Sequence, residues 1–166
     1  MTLESFFYAY LWGMVILGVG IFITLQFITP AYGMTYNNRW GASISSRWGW
    51  LIMETPVFVI MLIIYLNSLL TGVKPFNIVT FIFLLIFQTH YLQRSFIFPA
   101  LMKGQSRMPL SIMFAGIFFN ASNAFIQGGW LFMFAPANAY PISWFWSPQF
   151  IIGCVLFFIG MVINIK

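Results

Sequence analysis

The sequence predicts an all-α, polytopic integral membrane protein, a helical bundle of about five transmembrane helices. Three observations carry this. The 166-residue chain is 61% apolar and only 5% charged, an excess that no soluble core of this size requires. Five apolar runs approach or exceed the roughly 20 residues needed to cross a bilayer. Prolines gather at the ends of those runs (Pro30, Pro75, Pro109, Pro136, Pro141, Pro148), where helices stop.

The first run covers residues 6–28. It is too long for the apolar part of a signal peptide, no basic residue precedes it, and Pro30-Ala31-Tyr32 makes a poor cleavage site. The second run covers 48–70 and contains Pro56, a candidate bend. The third covers 76–98 and stops before Pro99; the fourth covers 110–134. The fifth, 150–165, is the shortest and ends at Lys166. No internal repeat or low-complexity segment divides the chain, so residues 1–166 read as a single transmembrane domain.

Basic residues orient the bundle. Arg39 and Arg47, Lys103 and Arg107, and Lys166 fall on one side, against Lys74 on the other. This bias puts the amino terminus outside or in a lumen and the other face in the cytoplasm. Trp40, Trp48 and Trp50 then mark the inner boundary, and Tyr8, Tyr10, Tyr140, Trp144 and Trp146 the outer one. The net charge of +5 does not point to nucleic acid, because the seven basic residues are scattered and form no run. Cys154 stands alone inside an apolar run and reads as a packing residue. No metal site is expected.

Polar residues inside the runs are where chemistry can reside. Glu54, one of only two acids, lies about six residues into the second run, roughly 9 Å deep. A carboxyl group at that depth is costly and needs a partner or a task. On the third run Gln88, His90, Tyr91 and Arg94 share an arc of roughly 160°. On the fourth, Asn120, Asn123 and Gln127 fall within about 60°, with Gly116 on the same stripe. Unsatisfied polar atoms facing lipid cost several kcal/mol, so these groups line a polar helix interface or a cavity. Several plain readings stay open beside a catalytic one. The Asn/Gln stripe serves as helix-association glue, Arg94 neutralises Glu54 by pairing, and His90 is a satisfied interior residue. Gly153 and Gly160 suggest close helix packing.

Local strings then become recognisable. Trp50-Leu-Ile-Met-Glu54-Thr-Pro56 resembles the Trp-x-x-Gln-Glu-x-Pro stretch of the steroid 5-alpha-reductase family, and Thr89-His90-Tyr91-x-x-Arg94 is close to its His-Tyr-x-x-Arg signature. Ala31-Tyr32-Gly33-Met-Thr35, Asn123-Ala-Phe-Ile-Gln127 and Ser147-Pro-Gln-Phe-Ile-Ile-Gly153, continuing to Asn164-Ile165, are similar to further family segments and keep their order. Each string alone is weak; five in order, across almost the whole chain, are specific.

The resemblance implies a membrane reductase that uses NADPH to saturate the carbon–carbon double bond of an α,β-unsaturated ketone, typically a 3-oxo-Δ4 steroid. It assigns Glu54 and Tyr91 to the ketone oxygen, where charge develops as hydride reaches the β-carbon. It assigns Trp50 and Phe119 to the apolar substrate slot, and Tyr32 and Asn164 to the nicotinamide half. Lys103 matches a basic position of the third loop and, with Arg107, is placed for cofactor phosphates. A phenol donates readily, whereas Glu donates only when protonated. The expectation is a neutral Glu54 beside Tyr91, with Arg94 turned towards the cofactor or another acceptor.

Three departures accompany the resemblance. Met53 stands where the family has Gln, and Phe98 where Tyr is common. The family also continues beyond Ile165 with His-Ser-Asp, an Arg-rich stretch and two more spanning helices. The expectation is an amino-terminal five-helix portion, or one half of a split enzyme, without most of the cofactor-binding part. No glycine-rich dinucleotide fingerprint is present. Two other readings remain: a sister reductase of enoyl thioesters or polyprenols, and a non-catalytic lipid-binding or channel-type subunit.

Overall fold

A computed structural model describes residues 2–30, 35, 36 and 40–165, with side chains through residue 163. Its architecture is helical apart from one small sheet. Helix α1 (Leu3–Thr24) starts under an N-cap in which the Thr2 hydroxyl accepts from the Ser5 amide at 3.1 Å. Helix α2 (Ser46–Thr71) ends at Gly72, whose φ of 66° supplies the left-handed residue of a C-cap. Helix α3 (Ile78–Leu92) begins where the Asn77 side chain accepts from the amides of Val79 and Thr80. A π-helical turn (Gln93–Ile97) and a short helix α4 (Phe98–Leu101) continue it without a break. Helix α5 (Leu110–Gly129) likewise runs on into a π-helical turn, Trp130–Phe134. A 3₁₀ segment (Ile142–Trp146) leads into helix α6 (Pro148–Ile165).

Among the described residues, Leu3–Thr24, Ser46–Thr71 and Leu110–Phe134 are long and apolar enough to cross a membrane; Pro148–Ile163 is apolar but shorter. The expected third span is present as a helix, but its path is not the plain α-helix that the sequence suggests. Pro99 does not stop it. The π-helical turn shifts the hydrogen-bond register so that the Phe98 amide donates to Gln93, and Pro99 enters the first turn of α4, where its missing N–H is tolerated.

Strands β1 (Ser43–Ser45) and β2 (Arg107–Pro109) pair antiparallel, Ile44 opposite Met108, and join the starts of α2 and α5. Three-residue strands fall below the length at which an alternation pattern can be read, so the loops gave no sign of them. Arg47 and Arg107 reinforce this end. Arg107 Nη2 donates to the Ser43 carbonyl at 2.6 Å, and Arg47 Nε to that of Pro99 at 3.0 Å. Arg107, expected to join Lys103 in facing cofactor phosphates, also gives Nε and Nη2 to Ser43 of β1. At the opposite end the Lys74 ammonium donates to the Ala135 carbonyl.

The core lies between α2, α3 and α5. Val57, Met61, Leu84, Ala124 and Phe132 are buried there together. Small residues on α5 set the spacing: a Cβ on Gly116 would lie 2.1 Å from Met53 Sδ, and one on Gly128 3.0 Å from Met61 Sδ. Helix α1 packs through Phe7, which sits over Gly129, and through a 2.6 Å hydrogen bond between Tyr10 and Ser122. Tyr10, expected at the outer boundary of the membrane, thus also serves helix packing. Among the described residues a Cβ at Gly153 or Gly160 would meet nothing within 4 Å, so the close packing expected there is not seen. Many large apolar side chains point outward, as suits a protein whose solvent is lipid: Phe22, Phe27, Leu70 and Ile163 are more than two-thirds exposed.

Candidate active site

Pro56 gives the site its local geometry. Having no N–H, it leaves the carbonyl one turn earlier in α2 without a helical donor and loosens that turn. Side chains from other helices bond to carbonyls around it. Asn120 Nδ2 donates to Met53 O at 2.8 Å, Ser95 Oγ to Glu54 O at 3.0 Å, and Gln88 Nε2 to Phe58 O at 3.1 Å. Ser95 is fully buried, and it reaches α2 from within the π-helical turn of Gln93–Ile97. Such turns place extra backbone where a function needs a side chain redirected. This one also carries Arg94.

Glu54 is 2% exposed and both its oxygens are engaged. Arg94 Nε donates to Oε1 at 2.8 Å, and Asn120 Nδ2 donates to Oε2 at 3.2 Å. Arg94 therefore does not turn away from the acid: of the two sequence readings the pairing with Glu54 holds, and the expectation that Arg94 faces elsewhere is corrected. The physical reason is plain: a buried carboxyl group in an apolar span needs compensation, and the π-helical turn brings the nearest cation to it. Arg94 also lies over the Trp50 ring, its Cζ 4.8 Å from the centroid, and its side chain remains 39% exposed.

Tyr91 occupies the opposite wall. Its hydroxyl accepts from Asn123 Nδ2 at 2.9 Å, and its ring packs against Phe87 and the edge of His90, with centroids 4.6 and 4.9 Å apart. Glu54 and Tyr91 line one cleft of about 400 Å³, together with Trp50, Met53, Gly116 and Phe119. Trp50, expected at the inner boundary of the membrane, also lines this cleft. Phe119 is 59% exposed and forms the rim of the cleft rather than its interior. Trp50, His90 and Arg94 also wall a smaller neighbouring cleft of about 180 Å³, which Met161 of α6 closes.

Lys103 is exposed on the chain between α4 and β2, at the end of the bundle where Arg47 and Arg107 lie. Tyr32 and the side chain of Asn164 lie outside the described residues. Ser95, which the sequence did not single out, completes the site with Asn120 and Asn123 of the polar stripe. Ser95 lies beyond the end of the His-Tyr-x-x-Arg string. The stripe, and the string Asn123-Ala-Phe-Ile-Gln127, gave no sign that Asn120 would bond Glu54 and Asn123 would bond Tyr91. No group of three metal-ligating side chains occurs among the described residues.

Comparison with known proteins agrees with the strings. Residues 106–166 match the family model of 3-oxo-5-alpha-steroid 4-dehydrogenase. The chain is 30% identical to steroid 5-alpha-reductase DET2 of Solanum lycopersicum, an alignment covering 98% of this chain and 62% of that protein. It is 29% identical to 3-oxo-5-alpha-steroid 4-dehydrogenase 1 of Bos taurus, over 90% of this chain and 57% of that one. The DET2 protein of Arabidopsis thaliana is 28% identical over 98% of this chain. The chain spans about three-fifths of the length of these relatives.

Proposed function

We infer that this chain, whose relatives along nearly its whole length are steroid 5-alpha-reductases, forms the substrate-holding part of a membrane-embedded NADPH-dependent reductase. The substrate is an α,β-unsaturated ketone, a 3-oxo-Δ4 steroid above all. One observation carries this reading: an acid and a phenol from different helices, Glu54 and Tyr91, wall a single cleft in which Trp50, Met53, Met108, Ile112 and Phe119 supply an apolar lining beside the polar His90, Arg94 and Asn120. A flat apolar molecule fits such a cleft, and its one polar oxygen finds its donors there.

The chemistry follows from charge. As hydride arrives at the β-carbon, electron density moves onto the ketone oxygen, and donors already aimed at that oxygen stabilise it. Tyr91 donates through its hydroxyl. Glu54 acts at the same oxygen with a proton on Oε2, while Oε1 keeps its bond from Arg94. Arg94 holds Glu54 in place, and its stacking on Trp50 fixes the wall against which the substrate lies.

The residues present fit one end of a nicotinamide dinucleotide. Trp50 and Arg94, lining both clefts, offer an aromatic face and a cation for the ring end, and Tyr32 and Asn164 are proposed to join them. Lys103 offers an uncommitted ammonium for the phosphates, whereas Arg47 and Arg107 are occupied with backbone carbonyls. When bound, the nicotinamide supplies the hydride. The chain's own residues bind, orient and polarise the substrate. We place the clefts toward the cytoplasm, from which a soluble nucleotide arrives, because Arg47, Lys103 and Arg107 share that end.

The test is NADPH oxidation by the protein reconstituted in bilayers, with 3-oxo-Δ4 steroids offered beside long-chain enoyl thioesters. Steroid-dependent oxidation that yields the saturated ketone is expected. Turnover of the thioesters alone would transfer the reading to the sister reductases. Oxidation with neither would leave a lipid-binding subunit.

A further inference from the structure

We propose that Asn123 is the positioning residue that aims the Tyr91 proton into the cleft shared with Glu54; this rests on Tyr91 being the carbonyl donor. A phenol oxygen carries one proton and can accept as well as donate, whereas an amide Nδ2 only donates. The 2.9 Å bond from Asn123 Nδ2 therefore fills an acceptor position of Tyr91 and leaves its O–H to point elsewhere.

The cavities give that direction. Tyr91 and Asn123 both line a second cavity of about 520 Å³ on the α6 side, together with Phe83 and Trp144. Tyr91 also lines the cleft containing Glu54, and Asn123 does not. Asn123 thus bonds the hydroxyl from the second cavity, which leaves the cleft lined by Glu54 as the direction proposed for the O–H. Ring contacts with Phe87 and His90 keep the phenol from swinging away. Accepting one hydrogen bond also strengthens the one that the same hydroxyl donates.

Asn120, three residues earlier on α5, treats the other group in the same way, with Nδ2 bridging Met53 O and Glu54 Oε2. Adjacent turns of one helix therefore hold the acid and the phenol. The separation between them is set by α5 and not by contact between the two side chains.

The experiment uses the full chain in lipid nanodiscs, with tyrosine labelled by ¹³C at Cζ and the Tyr91 resonance assigned through Tyr91→Phe. Asn123→Leu removes the donor. Asn123→Asp keeps the shape and presents an acceptor that draws the phenolic proton backwards. Both variants are expected to move the Tyr91 resonance and to lower kcat about tenfold or more with KM little changed. In a Tyr91→Phe background, Asn123→Leu is expected to cost no further activity. A Tyr91 resonance unmoved by either substitution overturns the proposal, as does a loss that adds in full to that of Tyr91→Phe. If the wild-type chain reduces no enone although the resonance moves, it is the carbonyl-donor reading that fails.

Discussion

Glu54 shows how one buried acid is made tolerable and then useful. Its two oxygens receive an N–H from α5 and another from the π-helical turn, and its own carbonyl receives the Ser95 hydroxyl. Removing such a partner leaves a buried polar group with nothing to bond, at about 1–3 kcal/mol each. The side chain itself discriminates between two roles. Glu54→Gln retains an oxygen for Arg94 Nε and an N–H donor where the protonated acid offers O–H, whereas Glu54→Ala retains neither. We expect the Gln variant to keep much of the reductase activity and the Ala variant little. An equal collapse in both would assign Glu54 to an ionised pair with Arg94. The sequence exposed this residue at once, because a lone acid in an apolar run stands out. It offered both an Arg94 paired with the acid and an Arg94 turned away, and could not choose between them, since the choice depends on the π-helical register that no spacing rule contains.

At the scale of elements, two departures from regular helix build the site. Pro56 opens the α2 turn that holds Met53 and Glu54, and the π-helical turn of Gln93–Ile97 swings Arg94 and Ser95 onto it. Periodicity at 3.6 residues placed Gln88, Tyr91 and Arg94 on one face correctly, because most of that face precedes the turn. It missed Ser95, which the π-helical turn brings inward. Helix α5 adds the close approach. Gly116 leaves room for Met53, and a methyl group there would fall 2.1 Å from its sulfur. Met is flexible and yields, and the cleft is the open space beside it. Gly116→Ala is therefore expected to raise KM for the steroid severalfold while the melting temperature changes little. An unchanged KM would show that Met53 finds another way out.

For the whole molecule, composition was sufficient for the membrane class, and the order of five short strings was sufficient for the family resemblance. What neither contained was the clamp between β1 and β2, built from three-residue strands and two arginines at the end where the clefts gather. That clamp joins the starts of α2 and α5, the helices that bear Glu54 and Asn120. The orientation of the bundle has its own test. In a Cys154→Ser background, a cysteine at Lys103 is expected to react with an impermeant reagent from the cytoplasmic side only. A cysteine at Lys74 is expected to react from the opposite side only. The reverse pattern would invert the bundle.

The central claim is that the Tyr91 hydroxyl and Glu54 act on one ketone oxygen. Single-turnover measurement of steroid reduction by Tyr91→Phe, which deletes the hydroxyl and keeps the ring, addresses it most directly. Loss of one such donor costs about 10²–10³-fold in rate, so a fall of that size with steroid affinity nearly intact is the predicted result. A Tyr91→Phe protein that reduces the steroid at the wild-type rate would contradict the account.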